Sequence, residues 1–292
     1  MKNNFFMSID QKTHDWFISY SNDKNIVHLA SKGGSVRKGQ QIVHGCHIIL
    51  LLLSEIGYQE TLSIKSTHAK FLSPVHVDDR VLVNVCSTAS SVIFYGKTIF
   101  GSVFEIEFKY ASYPNISVGS KSHSIDMKPL KDFFYYQNRR CSAFDIELVS
   151  ENHFLRVVPA SLCVFFTSIS AFVGMKNPGN GSIIGEIISN FYNDIKYIDL
   201  TELDLVRYVA IGANYSLSIG SDGFLVRTTG LKYDDEKSLD FKKASSLDTD
   251  GFSDVADVCL VIGALGRVGS FFVKELLSRD YKVIGTTTNV EK

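Results

Sequence analysis

"IVHGCHIILLLLSEIG", residues 42–57, decides the fold. The run from Gly45 to Gly57 opens and closes on glycine, as an apolar helix does, and its centre, "IILLLL", offers no polar face. A helix that is apolar all round is either buried or membrane-spanning, and residues 48–53 are too few to cross a bilayer. The segment therefore predicts a helix enclosed on every side by its own protein.

The chain that follows supplies the wrapping. "LSIKSTHAKFLSPV" (62–75), "DRVLVNVCSTA" (79–89), "SVIFYG" (91–96) and "TIFGSVFEIEFKY" (98–110) are β-rich and separated by turn formers. An apolar helix followed by an antiparallel sheet is an α+β unit, the sheet burying one face on the helix. Upstream, "THDWFISYS" (13–21) sets Trp16, Phe17 and Tyr20 at helical spacing, with Thr13 as the cap and an end near Asn22.

The plan recurs. After a loosely patterned connector, about 111–150, a second apolar segment, "VPASLCVFFTSISAFVGM" (158–175), precedes another series of strand-like runs. "VDDRVLVNVC" and "TELDLVRYVA", then "EIEFKY" and "TTGLKY", take equivalent places in the two halves, which reads as an ancient duplication. A polar run at 234–254 separates this pair from residues 257–292, which read strand, glycine-rich turn, helix, strand. There Gly263, Gly266 and Gly269 are spaced so that backbone N–H groups and a helix N-terminus can approach a pyrophosphate. The expected boundaries are 1–130 and 131–240 for the halves and 256–292 for the third unit.

Composition narrows the function. Thirty basic against thirty-one acidic residues in 292 give a net charge of −1, so neither nucleic acid nor an anionic membrane is drawn to the chain as a whole. The five cysteines, Cys46, Cys86, Cys141, Cys163 and Cys259, are scattered, odd in number and without a C-x-x-C pair, and read as reduced core residues of a cytoplasmic protein. The start, "MKNNFFMSIDQK", is far short of a signal-peptide core.

Chemistry concentrates in "SNDKNIVHLA", residues 21–30. At about 100° per residue, a continuous helix would point Asp23 and His28 roughly 140° apart, so they share a target only if the chain leaves the helix between them. Ending the first helix near Asn22 meets that condition. His44, Cys46 and His47 invite a metal reading, but their spacing on a buried helix gives at most two usable ligands, and no metal is expected.

Taken together, "FISYSNDKNIVHLA", "IVHGCHIILLLLSEIG" and "AKFLSPVHVDDRVLVNV" resemble the MaoC-like dehydratases, which include (R)-specific enoyl-CoA hydratases. The resemblance covers roughly the first 110 residues, rests on the order Asp23, Asn25, His28, then His44-Gly45, and departs from the usual form at Ile26, where proline is common. It implies a double hot-dog: two central helices, each wrapped by antiparallel sheet, with the second half, which has no D-x-N-x-x-H, given a structural and substrate-pocket role. It also implies that Asp23 activates water with His28 as acid-base partner, while the Gly45 N–H faces the thioester carbonyl. Asn25, His44 and Tyr20 would border the substrate, an acyl-CoA or acyl-carrier-protein thioester, with a homodimer an open assembly state. The last 36 residues resemble the first Rossmann-like βαβ of a short-chain dehydrogenase/reductase, so Gly263, Gly266 and Gly269 would bind NAD(P) only in a complete domain. The competing readings are a non-catalytic acyl-thioester-binding or scaffolding module fused to a reductase, and a hot-dog thioesterase.

Overall fold

The computed structural model describes residues 4–29, 41–110, 133–134, 158–195, 200, 203–232, 258–262 and 282–286. Residues 1–237 and 238–292 are two compact units.

In the first unit, strand β1 (Asn4–Met7) precedes helix α1 (Gln11–Ser21). The cap of α1 is Asp10 rather than Thr13: the Asp10 carboxylate accepts the Thr13 N–H at 2.7 Å, so the helix starts ahead of the expected position. It ends at Asn22, whose φ of 58° is the left-handed conformation that asparagine tolerates better than most residues. The chain then crosses Asp23 and makes one 3-10 turn over Ile26–His28. Asp23 and His28 thus lie off the helix, as a shared target requires.

Helix α2 (Gly45–Ile56) is buried along most of its length, and a short helix α3 (Tyr58–Leu62) follows. Strands β2 (Ser66–Phe71), β3 (Val81–Ser87), β4 (Ser91–Thr98) and β5 (Gly101–Lys109) come next. Of the connector, only Phe133 and Phe134 are described; they pack on Phe172, at 5.7 and 5.3 Å between ring centres. Phe172 belongs to helix α4 (Ala160–Met175), which is succeeded by β6 (Ser182–Phe191), β7 (Leu205–Ile211), β8 (Asn214–Ser221) and β9 (Phe224–Lys232).

All nine strands form one antiparallel sheet in the order β1-β3-β4-β5-β2-β6-β9-β8-β7. Apart from β1, the order is symmetric about the β2/β6 pair: β3, β4 and β5 answer to β7, β8 and β9. The two sequence pairs singled out above fall on β3 with β7 and on β5 with β9. The halves join edge to edge through β2 and β6, which hides two strand edges that would otherwise invite association. α2 packs on α4, and the two helices carry the aliphatic and phenylalanine core that the sheet covers. This is an α+β hot-dog arrangement, an apolar helix cradled by antiparallel strands. No helix among the described residues is long and apolar enough to cross a membrane.

In the second unit, β10 (Val258–Ile262) and β11 (Lys282–Thr286) pair in parallel. Parallel neighbours need a crossover of a dozen or so residues, which the spacing between them allows. Gly263, Gly266 and Gly269 lie outside the described residues. Cys46 and Cys163 are buried thiols as expected, but Cys86 is exposed: it sits on the outer face near the end of β3 and was misread as core.

Candidate active site

The cavity of interest, about 200 Å³, lies where the seam between the halves comes apart. The β2–β6 ladder ends at Lys70↔Glu186; beyond it β2 continues only with β5, through Phe71↔Phe104, and Ser182–Ile184 of β6 continue only with β9. The two strands splay, and the chain on both sides of the gap lines the cavity. Its polar side chains are Asp23, Asn25, His28, Ser73, Ser170 and Ser182, Gly45 brings backbone to it, and its apolar wall includes Ile48, Phe71, Val173 and Leu231.

Asp23 is nearly inaccessible and held from several directions. Its Oδ2 accepts the Ser170 hydroxyl at 2.7 Å, its Oδ1 accepts the Asn25 N–H at 3.2 Å, and its own N–H donates to Ser21 Oγ at 3.2 Å. Ser170 is on α4, so the second half grips the acid of the first. Gly174, one turn further on, is glycine for a related reason: a Cβ there would collide with the Asp23 carboxylate. Burial pushes the Asp23 carboxyl up to about 7, against the opposing pull of the Ser170 and Asn25 hydrogen bonds.

His28 donates from Nδ1 to the Ile42 carbonyl at 2.6 Å, because a carbonyl can only accept. In the neutral ring Nε2 is then the free lone pair. Burial presses this imidazole down to about 3, which leaves His28 neutral in the physiological range with Nε2 able to accept a hydrogen bond.

His44 contacts both Asp23 and His28. Its ring stacks on His28 at 3.5 Å between centres, and its Nε2 is 3.4 Å from the Asp23 carbonyl and 3.6 Å from Asp23 Oδ2. His14 of α1 buttresses the group by placing Nε2 3.0 Å from the His28 carbonyl. The Nδ1 atoms of His14 and His44 are buried with no hydrogen-bond partner among the described residues. Ligand atoms of Asp23, His28 and His44 approach within 4.8 Å of one another. The trio is nonetheless poor for a single cation, because two imidazoles stacked 23° from parallel do not aim their lone pairs at one point. The trio the sequence suggested does not converge either: His47 stacks on Phe17 at 4.5 Å, and the Cys46 thiol lies against Ser170, where burial pushes its pKa up.

Asn25 borders the cavity, but its amide is spent on the second half. Nδ2 donates to the Ser182 carbonyl at 2.7 Å and Oδ1 accepts the Gly181 N–H at 2.9 Å, while the neighbouring Ile26 N–H donates to Asn180 Oδ1 at 2.9 Å. It braces the motif loop. Tyr20 is wholly buried, stacked on Trp16 at 4.9 Å, and is not part of the cavity wall. Gly45 does reach the wall, at the N-terminus of α2, where the first N–H groups of a helix lack internal partners.

Ser170, Gly174 and the Asn180–Ser182 loop went unread in the sequence. Their only local signals are the hydroxyl residues Thr167, Ser168 and Ser170 inside a largely apolar helix and a "NPGNGS" turn after it.

No protein-family model and no curated protein sequence matches the chain. Among solved structures it is similar to HtdX from Mycobacterium tuberculosis, at 11% identity and a TM-score of 0.45, covering 80% of this chain and 100% of that one. A Lactobacillus plantarum protein provisionally named an oleoyl thioesterase aligns at 8% identity and 0.40, covering 80% and 96%. The dehydratase domain of PpsC from Mycobacterium tuberculosis, solved with C12:1-CoA, aligns at 7% identity and a TM-score of 0.40, covering 79% of this chain and 93% of that one.

Proposed function

We propose that the first 237 residues form a double hot-dog that adds water to a trans-2-enoyl thioester, or removes it from the (R)-3-hydroxyacyl product. One observation carries this reading: an acid poised near neutrality, an imidazole lone pair and the N-terminus of a buried helix border the same largely apolar cavity. A water between Asp23 and His28 Nε2 would give one hydrogen to each. As its oxygen bonds to C3, a proton passes to the Asp23 carboxylate and negative charge moves to the thioester oxygen, where the Gly45 N–H and the dipole of α2 stabilise it. The Asp23 acid then returns a proton to C2, so that one water has been added. With Asp23 near 7, its carboxylate and its acid form are both well populated at neutral pH, which suits a group that must take a proton and then return it. His28 aims the water, and Asp23 carries the proton.

The substrate in this reading is an acyl thioester of coenzyme A or of a carrier protein. The β10–β11 pair would begin a dinucleotide-binding unit, with no part in the hydration chemistry. The test is to incubate the chain with trans-2-enoyl-CoA, following loss of the conjugated absorbance and release of free thiol together. Hydration consumes the absorbance, releases no thiol and yields an (R)-3-hydroxyacyl product on chiral analysis. Thiol release in step with substrate loss would establish the hydrolase instead, and neither signal at any chain length would leave a binding module.

A further inference from the structure

The cavity wall contains one bulky side chain that the hydration chemistry does not use. Phe71 is the last residue of β2, at the point where the seam opens. Its backbone is held by β5, through the Phe71↔Phe104 pair and the Leu72 N–H donated to the Val103 carbonyl at 2.9 Å, so the ring hangs from a fixed anchor. It is half-buried, whereas Leu72 beside it is 57% exposed, which places the ring between the interior and the cavity mouth.

The ring rests on Gly45. A Cβ built on Gly45 would lie 2.7 Å from both Cε2 and Cζ of Phe71, closer than real Cβ atoms come to their neighbours. Residue 45 is therefore glycine because the phenyl rim occupies the space a side chain would need. In standard geometry a Cβ is roughly 2.5 Å from its own nitrogen, so the rim is within about 5 Å of the Gly45 nitrogen. A thioester oxygen bonded to that N–H at about 2.9 Å brings C1 and its two substituents, the sulfur and C2, into the same shell. Where the carbonyl enters from the Phe71 side of the cavity, the phenyl rim and the atoms next to the thioester carbonyl come within contact distance.

We infer that Phe71 is a specificity-determining residue that admits acyl thioesters with a flat, unsubstituted C2 and rejects those carrying a methyl branch there. This rests on the hydration reading, because it takes the Gly45 N–H as the carbonyl's donor. A C2–H in the plane of an enoyl thioester slides along the rim of the ring, whereas a methyl group must displace the ring or lift the carbonyl from its donor. One methyl group misfitted in an apolar pocket is commonly worth a factor of about 10–200 in kcat/KM.

The experiment compares crotonyl-CoA with its 2-methyl analogue, tigloyl-CoA, on the native chain and on Phe71→Ala and Phe71→Leu. The native chain should favour crotonyl-CoA by at least about tenfold in kcat/KM, and Phe71→Ala should shrink that preference by at least about tenfold, mainly by gaining on tigloyl-CoA. Phe71→Leu keeps an apolar strand residue should the alanine variant fold poorly, and should shift the ratio in the same direction by less. Equal use of both substrates by the native chain would overturn the inference, as would a Phe71 variant that slows both substrates alike. Either outcome leaves hydration itself established, whereas no turnover of crotonyl-CoA or longer straight-chain enoyl-CoA by the native chain removes the reading on which the inference rests.

Discussion

The two central helices resemble each other in composition and differ in what their ends do. α2 begins on Gly45, faces a cavity and has a phenyl ring against its first residue; α4 begins after Pro159 and meets the same cavity near its other end, through Ser170, Val173 and Gly174. The fold thus presents one helix N-terminus and one helix C-terminal turn to a single site. The first half contributes the acid, the imidazole and the helix N-terminus, and the second fixes where they stand and supplies part of the wall. Read from its sequence, the second half lacks the motif and serves structure and the substrate pocket, with no hold on the acid. The Ser170–Asp23 and Asn25–Ser182 hydrogen bonds make it part of the site.

The largest expected effect breaks the first half alone. Asp23→Asn keeps the shape, because Oδ1 can still accept and the Ser170 hydroxyl can turn, but it removes the proton carrier. Turnover of an enoyl thioester should fall by at least about a hundredfold. The same change should raise the unfolding midpoint at pH 8. The folded-state pKa of Asp23, about 7, lies above its ordinary 3.8, so its contribution to stability is complete below about pH 4 and is lost as pH rises through 7. Across that window the loss is on the order of 4 kcal/mol. His14, His28, His44 and His47 are pushed the other way by burial and cost stability as pH falls below 6.5. Thermal melts of the two proteins between pH 5 and 9 separate the terms, since only the aspartate is absent from the variant and the gap should widen with pH.

A change confined to the second half comes next. Gly174→Ala would press a methyl group into the Asp23 carboxylate, and should lower turnover by about tenfold or more even though neither the acid, the imidazole nor the carbonyl donor is altered. Turnover within twofold of native would mean that the second half does not position the acid. The smallest effect concerns the third segment: deleting residues 238–292, a compact unit apart from the first 237, should leave turnover and melting midpoint nearly unchanged. A drop of more than about 1 kcal/mol in unfolding free energy would show that the two units stabilise each other.

How much of this could be read beforehand depended on how local each signal was. α2 was legible because its apolar run is unbroken and bounded by glycines, and the motif loop because Asp23 and His28 lie close together just past a helix end. β1 was not legible: its four residues are a strand only because β3 offers them an edge. Tyr20 was placed at the substrate by proximity in sequence, whereas helix geometry turns it onto Trp16. Ser170 stands 147 residues from Asp23, and a serine in an apolar helix looks the same whether it caps a carbonyl of the preceding turn, as Thr167 does, or aims at a distant carboxylate. Only the packing of α2 and α4 distinguishes the two.

The shared site is tested most directly by the pH dependence of kcat/KM for enoyl-CoA hydration in the native chain and in Ser170→Ala. Asp23 must be ionised to take the water's proton, so the native rate should rise through about pH 7 to a plateau. The Ser170 hydroxyl stabilises the carboxylate, so its loss should move that limb to higher pH, with turnover reduced several-fold at pH 7 and largely recovered at pH 9. A limb at the same pH in both proteins would contradict the claim that the second half sets the acidity of the first.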